Sequence, residues 1–476
     1  MTQTLDTAHA ASITELQTRH AKLMTSVRNY TDTSVTASTA ELTAARSALM
    51  DNIDAKEQSL LGLAQRKATK PLPSMILDFR EQVFLQGNRI IERGRDVADL
   101  LQVLRGSSKW CFGPTGNVRE FPANTVAYAY DPTTGEAKGI SLEGAGTNLH
   151  PYSTDMTNAN VTRLRCDVAV SSETSPITGQ KAFKLTCLEN NTTGLDPGTF
   201  SVTNGTKYTT TVIAKAGSAN GITLVFKSFQ SGWQAGEIRF DGSVDSSTGS
   251  GWKLEEQCDL RDGWVMARVS CTASQDSTAA SVEYRITHND ANPAVGQTIH
   301  LAHWQIETGN GSTIIPTAAT AVTRAADNML RDLSFEHNPN GFTFYVEGVQ
   351  TSDTGSLVFY SLNNSTSKSI RVGVPSNNNA IFWVNYDRLA NISTTNFPVV
   401  KGGSNKIAVS VNATRFAVAC NGSVSYTSTP PQGIPIFNRA KLGAISDTNN
   451  AINGTIAEFR AYPMAMEAAD LIVLTT

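Results

Sequence analysis

Two of the six tryptophans in this 476-residue chain stand where a sugar ring can be met. Trp233 lies in S-G-W-Q-A-G and Trp252 in G-S-G-W-K. An exposed indole offers its face to the C–H side of a sugar, while short polar side chains nearby take the hydroxyls. Flanking glycine and serine favour exposed loops; the alternative is an indole that anchors its loop in a core. Trp264 and Trp304 fall in apolar alternation and read as core. Trp383, Tyr386 and Asp387 gather near a strand end and form a second candidate glycan surface.

Other chemistries find less. Glycoside cleavage needs two carboxyl groups about 5–9 Å apart. Glu237 and Asp241 share one strand face but lie four residues apart, at ~13 Å along an extended chain. No H-E-x-x-H, Walker or G-x-S-x-G pattern occurs, so the chain is not expected to be an enzyme. No cofactor is expected. A structural calcium is allowed for, with Asp155, Glu143 and Glu307 as donors, although they form no compact loop. The six cysteines form no C-x-x-C pair. They read as small buried hydrophobes, or as disulfides such as Cys166–Cys187 or Cys258–Cys271 on neighbouring strands.

The elements that must position these residues come from pattern and composition. Only 17% of residues are charged, and the 35 glycines and 17 prolines accompany many Ser, Thr and Asn. That suits a turn-rich all-β protein of two to four domains. A net charge of −3 gives no field for nucleic acid or anionic membrane. No apolar run reaches the roughly 18 residues needed to cross a bilayer. The opening M-T-Q-T-L-D-T-A-H-A shows no basic region followed by an apolar one, so no secretory signal is expected.

The expected fold is mainly β: an N-terminal α-helical stem followed by two β-sandwich (jelly-roll) domains. Residues 1–105 are the stem. Ile13, Leu16, Leu23 and Val27, then Leu42, Leu49, Ile53, Leu60 and Leu63, recur at helical spacing. Ile76, Val83, Ile90, Val97 and Leu104 lie seven apart, a coiled-coil signal interrupted by Gly87 and Gly94. That region is either an oligomeric stem or a helical hairpin within one chain. Residues 106–149 form a small β adaptor, 150–327 a first sandwich and 328–476 a second. The second has a hairpin turn at Asn421-Gly422 and a short helix near Met466–Leu474.

Several segments carry a resemblance. Leu142–Leu149 (L-E-G-A-G-T-N-L) resembles an E-x-x-x-T-N-L segment of many bacteriophage tail proteins, which follows a D-P-x-T-G-E turn, here Asp131–Glu136. In that family a carbohydrate-binding-module-like jelly roll follows. It closes with segments similar to Trp304–Gly309, Ile315-Pro316-Thr317 and Thr323–Asp327. The likeness covers roughly residues 108–327. Residues 328–476 resemble the concanavalin A-like, laminin-G-like sandwiches attached to the same phage proteins, through Asn405–Ser410, Ala419–Gly422 and Gly454–Tyr462. The resemblance implies a virion protein, a tail fibre or receptor-binding adhesin, assembled in the host cytoplasm. It implies a homo-oligomer, a trimer, joined to other virion proteins through the N-terminal helices and to a host surface glycan or protein. Neither nucleic acid binding nor membrane insertion is implied. The alternative is a non-catalytic structural virion protein, a capsid decoration or tail scaffold, whose sandwiches bind other phage proteins.

Overall fold

The structure is a computed structural model. It describes residues 14–25, 46–47, 72–86, 89–91, 97, 100–241, 244–248, 251–289, 291–333, 338, 340–351, 357–363, 368–374, 380–386, 390–397, 400, 402–428, 437, 439–443 and 452–476. Residues 1–72 form one compact unit and 73–476 another. Within the first, 14–25 is helical, with Leu16 half-buried and an Arg19–Glu15 ion pair one turn apart. Most of the second helical run expected in the stem, 42–63, lies outside the described residues; 46–47 are helical. The described part is mainly β, and no described helix is long and apolar enough to cross a membrane.

The helical, coiled-coil reading of 74–104 is corrected. This stretch forms the strands Met75–Asp78, Val83–Gln86, Arg89–Ile91 and Gln102–Leu104. Met75, Leu77 and Phe79, two apart, are each 0% exposed and enter the core, while Ile76 between them is buried at 7%. Leu104, on the seven-residue seam, is 41% exposed. The first two strands meet at a turn nucleated by Asp78, whose Oδ1 accepts from the backbone N–H of Arg80 and Glu81. Such an Asx turn competes with helix.

These early strands belong to the last sandwich. Its ten-stranded sheet centres on Gly341–Gln350, paired with Ser404–Asn412 on one side and Gly454–Tyr462 on the other. The far edge of Gly454–Tyr462 takes Met75–Asp78 and Ala137–Leu142 end to end. In the facing seven-stranded sheet, Asn328–Asp332 runs between Gln102–Leu104 and Arg439–Leu442. Met75, Leu77, Phe84, Leu101, Phe342, Phe344 and Phe459 share one core. The hairpin Phe416–Cys420/Ser423–Ser428 turns at Asn421-Gly422, both at positive φ, and the short C-terminal helix is Ala468–Thr475.

The first sandwich is continuous in sequence. A six-stranded sheet places Thr298–Thr308 between Phe183–Cys187 and Lys207–Ala216. The opposing seven-stranded sheet places Gly221–Gln230 between Gly232–Arg239 and Ser277–Thr287. Ile222, Leu224, Phe226, Val282, Tyr284 and Ile286 point into the space between, against Trp304. Trp304 stacks on Tyr284 at 5.5 Å and donates to the Pro151 carbonyl.

The segment Leu142–Leu149 crosses from one core to the other. Leu142 packs in the second sandwich and Leu149 against the first. Between them, Glu143 and Asp327 exchange bonds: the Asp327 N–H donates to the Glu143 carbonyl, and Asp327 Oδ2 accepts from the Glu143 N–H. Asp327, 3% exposed, also accepts from Arg105 at 2.9 Å and Lys109 at 2.6 Å. Glu143 lies 3.2 Å from Lys109 and 3.3 Å from Arg324, and accepts from both Thr313 N–H and Oγ1. Burial alone would raise the Glu143 pKa; Lys109 and Arg324 outweigh it and hold the group at about 2. Asn148 binds four backbone groups, of Trp304, Ile315, His150 and Ile306. A Cβ on Gly146 would lie 2.4 Å from Glu307 Oε1, so a side chain there would displace the carboxylate that Ser312 holds.

Two predictions follow from buried polar groups. Removing one partner of a buried ion cluster leaves uncompensated charge, so Asp327→Asn should cost about 3–5 kcal/mol in urea unfolding of the full chain; an unchanged midpoint would contradict the role given to Asp327. His150 is 0% exposed, packs against Phe200 and Tyr284, and has no hydrogen bond at either ring nitrogen. Burial lowers its pKa to about 3, and that of buried His303 to about 4 despite a bond to Gln305. Both stay neutral when folded, whereas the unfolded chain protonates them near pH 6.5. The unfolded state thus binds more protons between about pH 6.5 and 4, and stability falls as pH drops through that window. Urea unfolding at pH 5.0 should be weaker than at pH 7.5 by about 2 kcal/mol per histidine, and His150→Phe should remove its share.

Candidate functional site

The outward face of the seven-stranded sheet of the first sandwich follows from alternation. On Ser277–Thr287, Val282, Tyr284 and Ile286 point inward, so Ser281, Glu283 and Arg285 point outward. On Gly221–Gln230 the outward set includes Val225 and Lys227, because Leu224 and Phe226 are core. Register places Lys227 opposite Ser281 and Val225 opposite Glu283. Trp233, on the adjoining strand Gly232–Arg239, lies on the same face.

Trp233 is 59% exposed, and the Arg285 guanidinium sits over its ring at 4.8 Å. Glu283 beneath accepts from Arg285 Nε at 2.7 Å and from Lys227 Nζ at 2.8 Å. Asp196, on Gly194–Asp196, accepts from Ser281 Oγ at 2.9 Å and lies 4.0 Å from Lys227. An indole, a clamped guanidinium, two carboxylates, an ammonium and a hydroxyl therefore share one surface. Glu283 and Arg285 are well buried, their side chains 4% and 15% exposed, so the polar set is fixed by its ion pairs before a ligand arrives. Beside the indole platform the groups left in reach of a ligand are Lys227, Arg285 and Asp196, with Ser281 and Glu283 buried beneath them.

Trp252 does not join Trp233. It opens the strand Trp252–Asp259, is half-buried and packs against the first core. Its indole lies against Gly236, where a Cβ would come within 2.0 Å of the ring, on the inward side of Trp233's strand. Its Nε1 has no hydrogen-bond partner. The Gly/Ser-rich context expected to expose it instead lets it fold inward. Trp264 and Trp304 are core, 1% and 0% exposed. Trp383 and Tyr386 lie on Ala380–Tyr386, opposite Arg371 and Lys368. Their side chains, and Asp387 entirely, lie outside the described residues.

The three calcium donors are divided. Glu143 and Glu307 approach one another around Ser312 and Thr313, but Glu143 is occupied by Lys109 and Arg324. Burial raises the Glu307 pKa, against hydrogen bonds from Ser312 and Gln305. Asp155 closes its own turn onto Thr157. This donor set does not fit a divalent cation, and no group of three or more metal-ligating side chains occurs among the described residues. Cys166 and Cys187 are directly opposite in register, yet both are free thiols, donating to the Gly194 and Glu189 carbonyls. Cys258 faces Met266 and Cys271 faces Trp252, so those two are not partners. Glu237 lies within its strand near Arg239 at 3.9 Å, and Asp241 follows the strand's end.

No family model and no curated protein matches the chain. Solved structures do show likeness. The CBM40 domain of Ruminococcus gnavus IT-sialidase bound to α2,6-sialyllactose is 16% identical, covering 29% of this chain and 84% of that one at a TM-score of 0.26. Domain 4 of AbnA, a GH43 extracellular arabinanase from Geobacillus stearothermophilus, in complex with arabinotriose, is 16% identical over 32% and 73% at 0.28. The SAP-like pentraxin of Limulus polyphemus is 13% identical over 29% and 70% at 0.23. These values carry no argument about ligand or activity; the two β-sandwiches rest on the strand pairings themselves.

Arg285, Glu283, Lys227, Ser281 and Asp196 escaped the sequence analysis. The signal for Ser281, Glu283 and Arg285 is in S-V-E-Y-R-I-T, where they alternate with Val, Tyr and Ile; Lys227 and Asp196 lie on other strands and join them only through register. The opposite placement of the two tryptophans is testable by stability. Trp233→Ala should change unfolding by less than about 0.5 kcal/mol, as for most exposed positions. Trp252→Ala should cost about 3 kcal/mol or more. Equal effects would contradict the assignment of the two indoles to opposite faces.

Proposed function

We propose that this chain is a non-catalytic phage virion protein, a tail fibre or adhesin, that holds host surface glycan on the Trp233 face of its first sandwich. The observation that carries the reading is Trp233 itself, an indole left 59% exposed yet fixed under Arg285 beside a network of polar side chains. Sequestering that indole by a sugar face removes apolar surface from water, and the charged rim of Lys227, Arg285 and Asp196 is already held in place for sugar hydroxyls. The carboxylates on this face are each engaged with a cation or a hydroxyl, which supports binding rather than acid–base chemistry.

The phage setting rests on the resemblance of 131–149 and 304–327 to tail-protein segments. With it come a place on the virion, assembly in the host cytoplasm, trimeric self-association and attachment to other virion proteins through the N-terminal helices. Linked copies multiply weak single-site affinity, so a shallow platform suffices for adhesion. The competing reading is a structural virion component whose sandwiches bind other phage proteins.

Binding of the full chain to an array of bacterial surface polysaccharides, native and periodate-oxidised, separates the two. The glycan reading expects saturable binding to at least one native polysaccharide, lost on oxidation and weakened at least tenfold by Trp233→Ala with folding intact. No binding by the folded protein, or binding indifferent to Trp233, would overturn it and favour the structural component.

A further inference from the structure

Cys166 and Cys187 face each other across the strand pair Cys166–Val170/Phe183–Cys187. The Leu188 N–H donates to the Arg165 carbonyl, the bond that flanks a non-hydrogen-bonded pair. The two Cα atoms of such a pair stand about 4.5 Å apart with their side chains on one face. A disulfide needs roughly 4.4–6.8 Å. The two sulfurs also reach the same spot. Cys166 Sγ donates to the Gly194 carbonyl at 3.1 Å, and Cys187 Sγ lies 3.4 Å from Oγ1 of the adjacent Thr193. Both are free thiols, buried at 5% and 1% exposure. The other four cysteines have no such partner: Cys111 is opposite Arg119, Cys258 opposite Met266, Cys271 opposite Trp252 and Cys420 opposite Ile407.

The pair sits where the chain changes sheets. Thr162–Leu164 pairs with Gly194–Asp196 in the seven-stranded sheet, and Cys166–Val170 pairs with Phe183–Cys187 in the six-stranded one. Between them Arg165 holds the backbone at φ 51°, a left-handed conformation uncommon for a non-glycine residue. Among the described residues Cys166–Val170 has a single sheet neighbour, and its Asp167, Ala169 and Val170 are exposed. An edge strand with so few buried contacts opens locally before the sheet does. Burial pushes the Cys166 thiol up to about 11, so the closed strand keeps it unreactive and opening releases it.

We propose that Cys166 and Cys187 form a redox-controlled cross-strand disulfide, open in a reducing medium and closed by a low-molecular-weight disulfide such as oxidised glutathione, that clamps this edge of the first sandwich. One thiolate attacks a sulfur of oxidised glutathione and releases one glutathione; the other thiolate then attacks the protein sulfur of the mixed disulfide and releases the second. The protein loses two electrons and two protons, and oxidised glutathione takes them up as two thiols. The sandwich gives up only two weak S–H donors. The clamp is independent of any ligand on the Trp233 face.

The test adds oxidised glutathione to the full chain in urea below its unfolding transition, which opens the edge strand without unfolding the sheet. Free thiols are then alkylated, and the chain is weighed and peptide-mapped. Wild type should show a Cys166–Cys187 cross-linked peptide and alkylate at four of its six cysteines; dithiothreitol should restore all six. Hydrogen exchange across 166–170 should be at least tenfold slower in the oxidised chain than in the reduced one. Cys166→Ser should show neither the cross-link nor the slowing. Six alkylated cysteines in wild type, a different cross-linked pair, or glutathione adducts that never resolve into the cross-link would overturn the proposal. Exchange across 166–170 unchanged by the cross-link would overturn the clamp.

Discussion

The structure of residues 73–476 depends on one buried carboxylate. Asp327 is held by Arg105 and Lys109 and by the backbone of Glu143. Arg105 and Lys109 come from the linker after the early strands, Glu143 from the crossing segment, and Asp327 from the exit of the first sandwich. Three stretches far apart in sequence are thus fixed at one point. Charges out of water are tolerated only when each is paired, and here each ion has at least one partner of opposite sign. Hydrophobic burial would hold each sandwich alone; it is this ion cluster that ties the segment joining them to both ends of the first.

From that anchor the candidate site follows by alternation. The strands of the first sandwich bury one face on Trp304 and Tyr284, and the pleat obliges the other to carry Ser281, Glu283, Arg285 and Lys227 outward. Arg285 could be flexible on such a surface. Its pairing with Glu283 and its seat over Trp233 fix it instead.

Much of this was legible beforehand and some was not, for identifiable reasons. The strand Phe183–Cys187 is legible in its own residues, because Phe183, Leu185 and Cys187 alternate with Lys184 and Thr186. The Asn421-Gly422 turn was readable because a tight hairpin demands positive φ there. The stretch 74–104 was misread because a seven-residue apolar recurrence outweighed the shorter alternation of Met75, Leu77 and Phe79. Its partners, Gly454–Tyr462 and Asn328–Asp332, lie hundreds of residues away, where local periodicity says nothing. Trp252 stays open between two readings in the sequence, because glycine next to tryptophan signals either an open loop or space for an indole to turn inward. Only the contact with Gly236 decides which. The charged residues around Trp233 were overlooked because each alone reads as a solvated strand face; register is what assembles them.

The most direct measurement is hydroxyl-radical footprinting of the full chain with and without a polysaccharide that it binds. The account predicts that Trp233 loses most of its reactivity on binding, while Trp252 and the strands of the second sandwich react as before. Undiminished labelling of Trp233 in the saturated complex, with protection elsewhere, would contradict it.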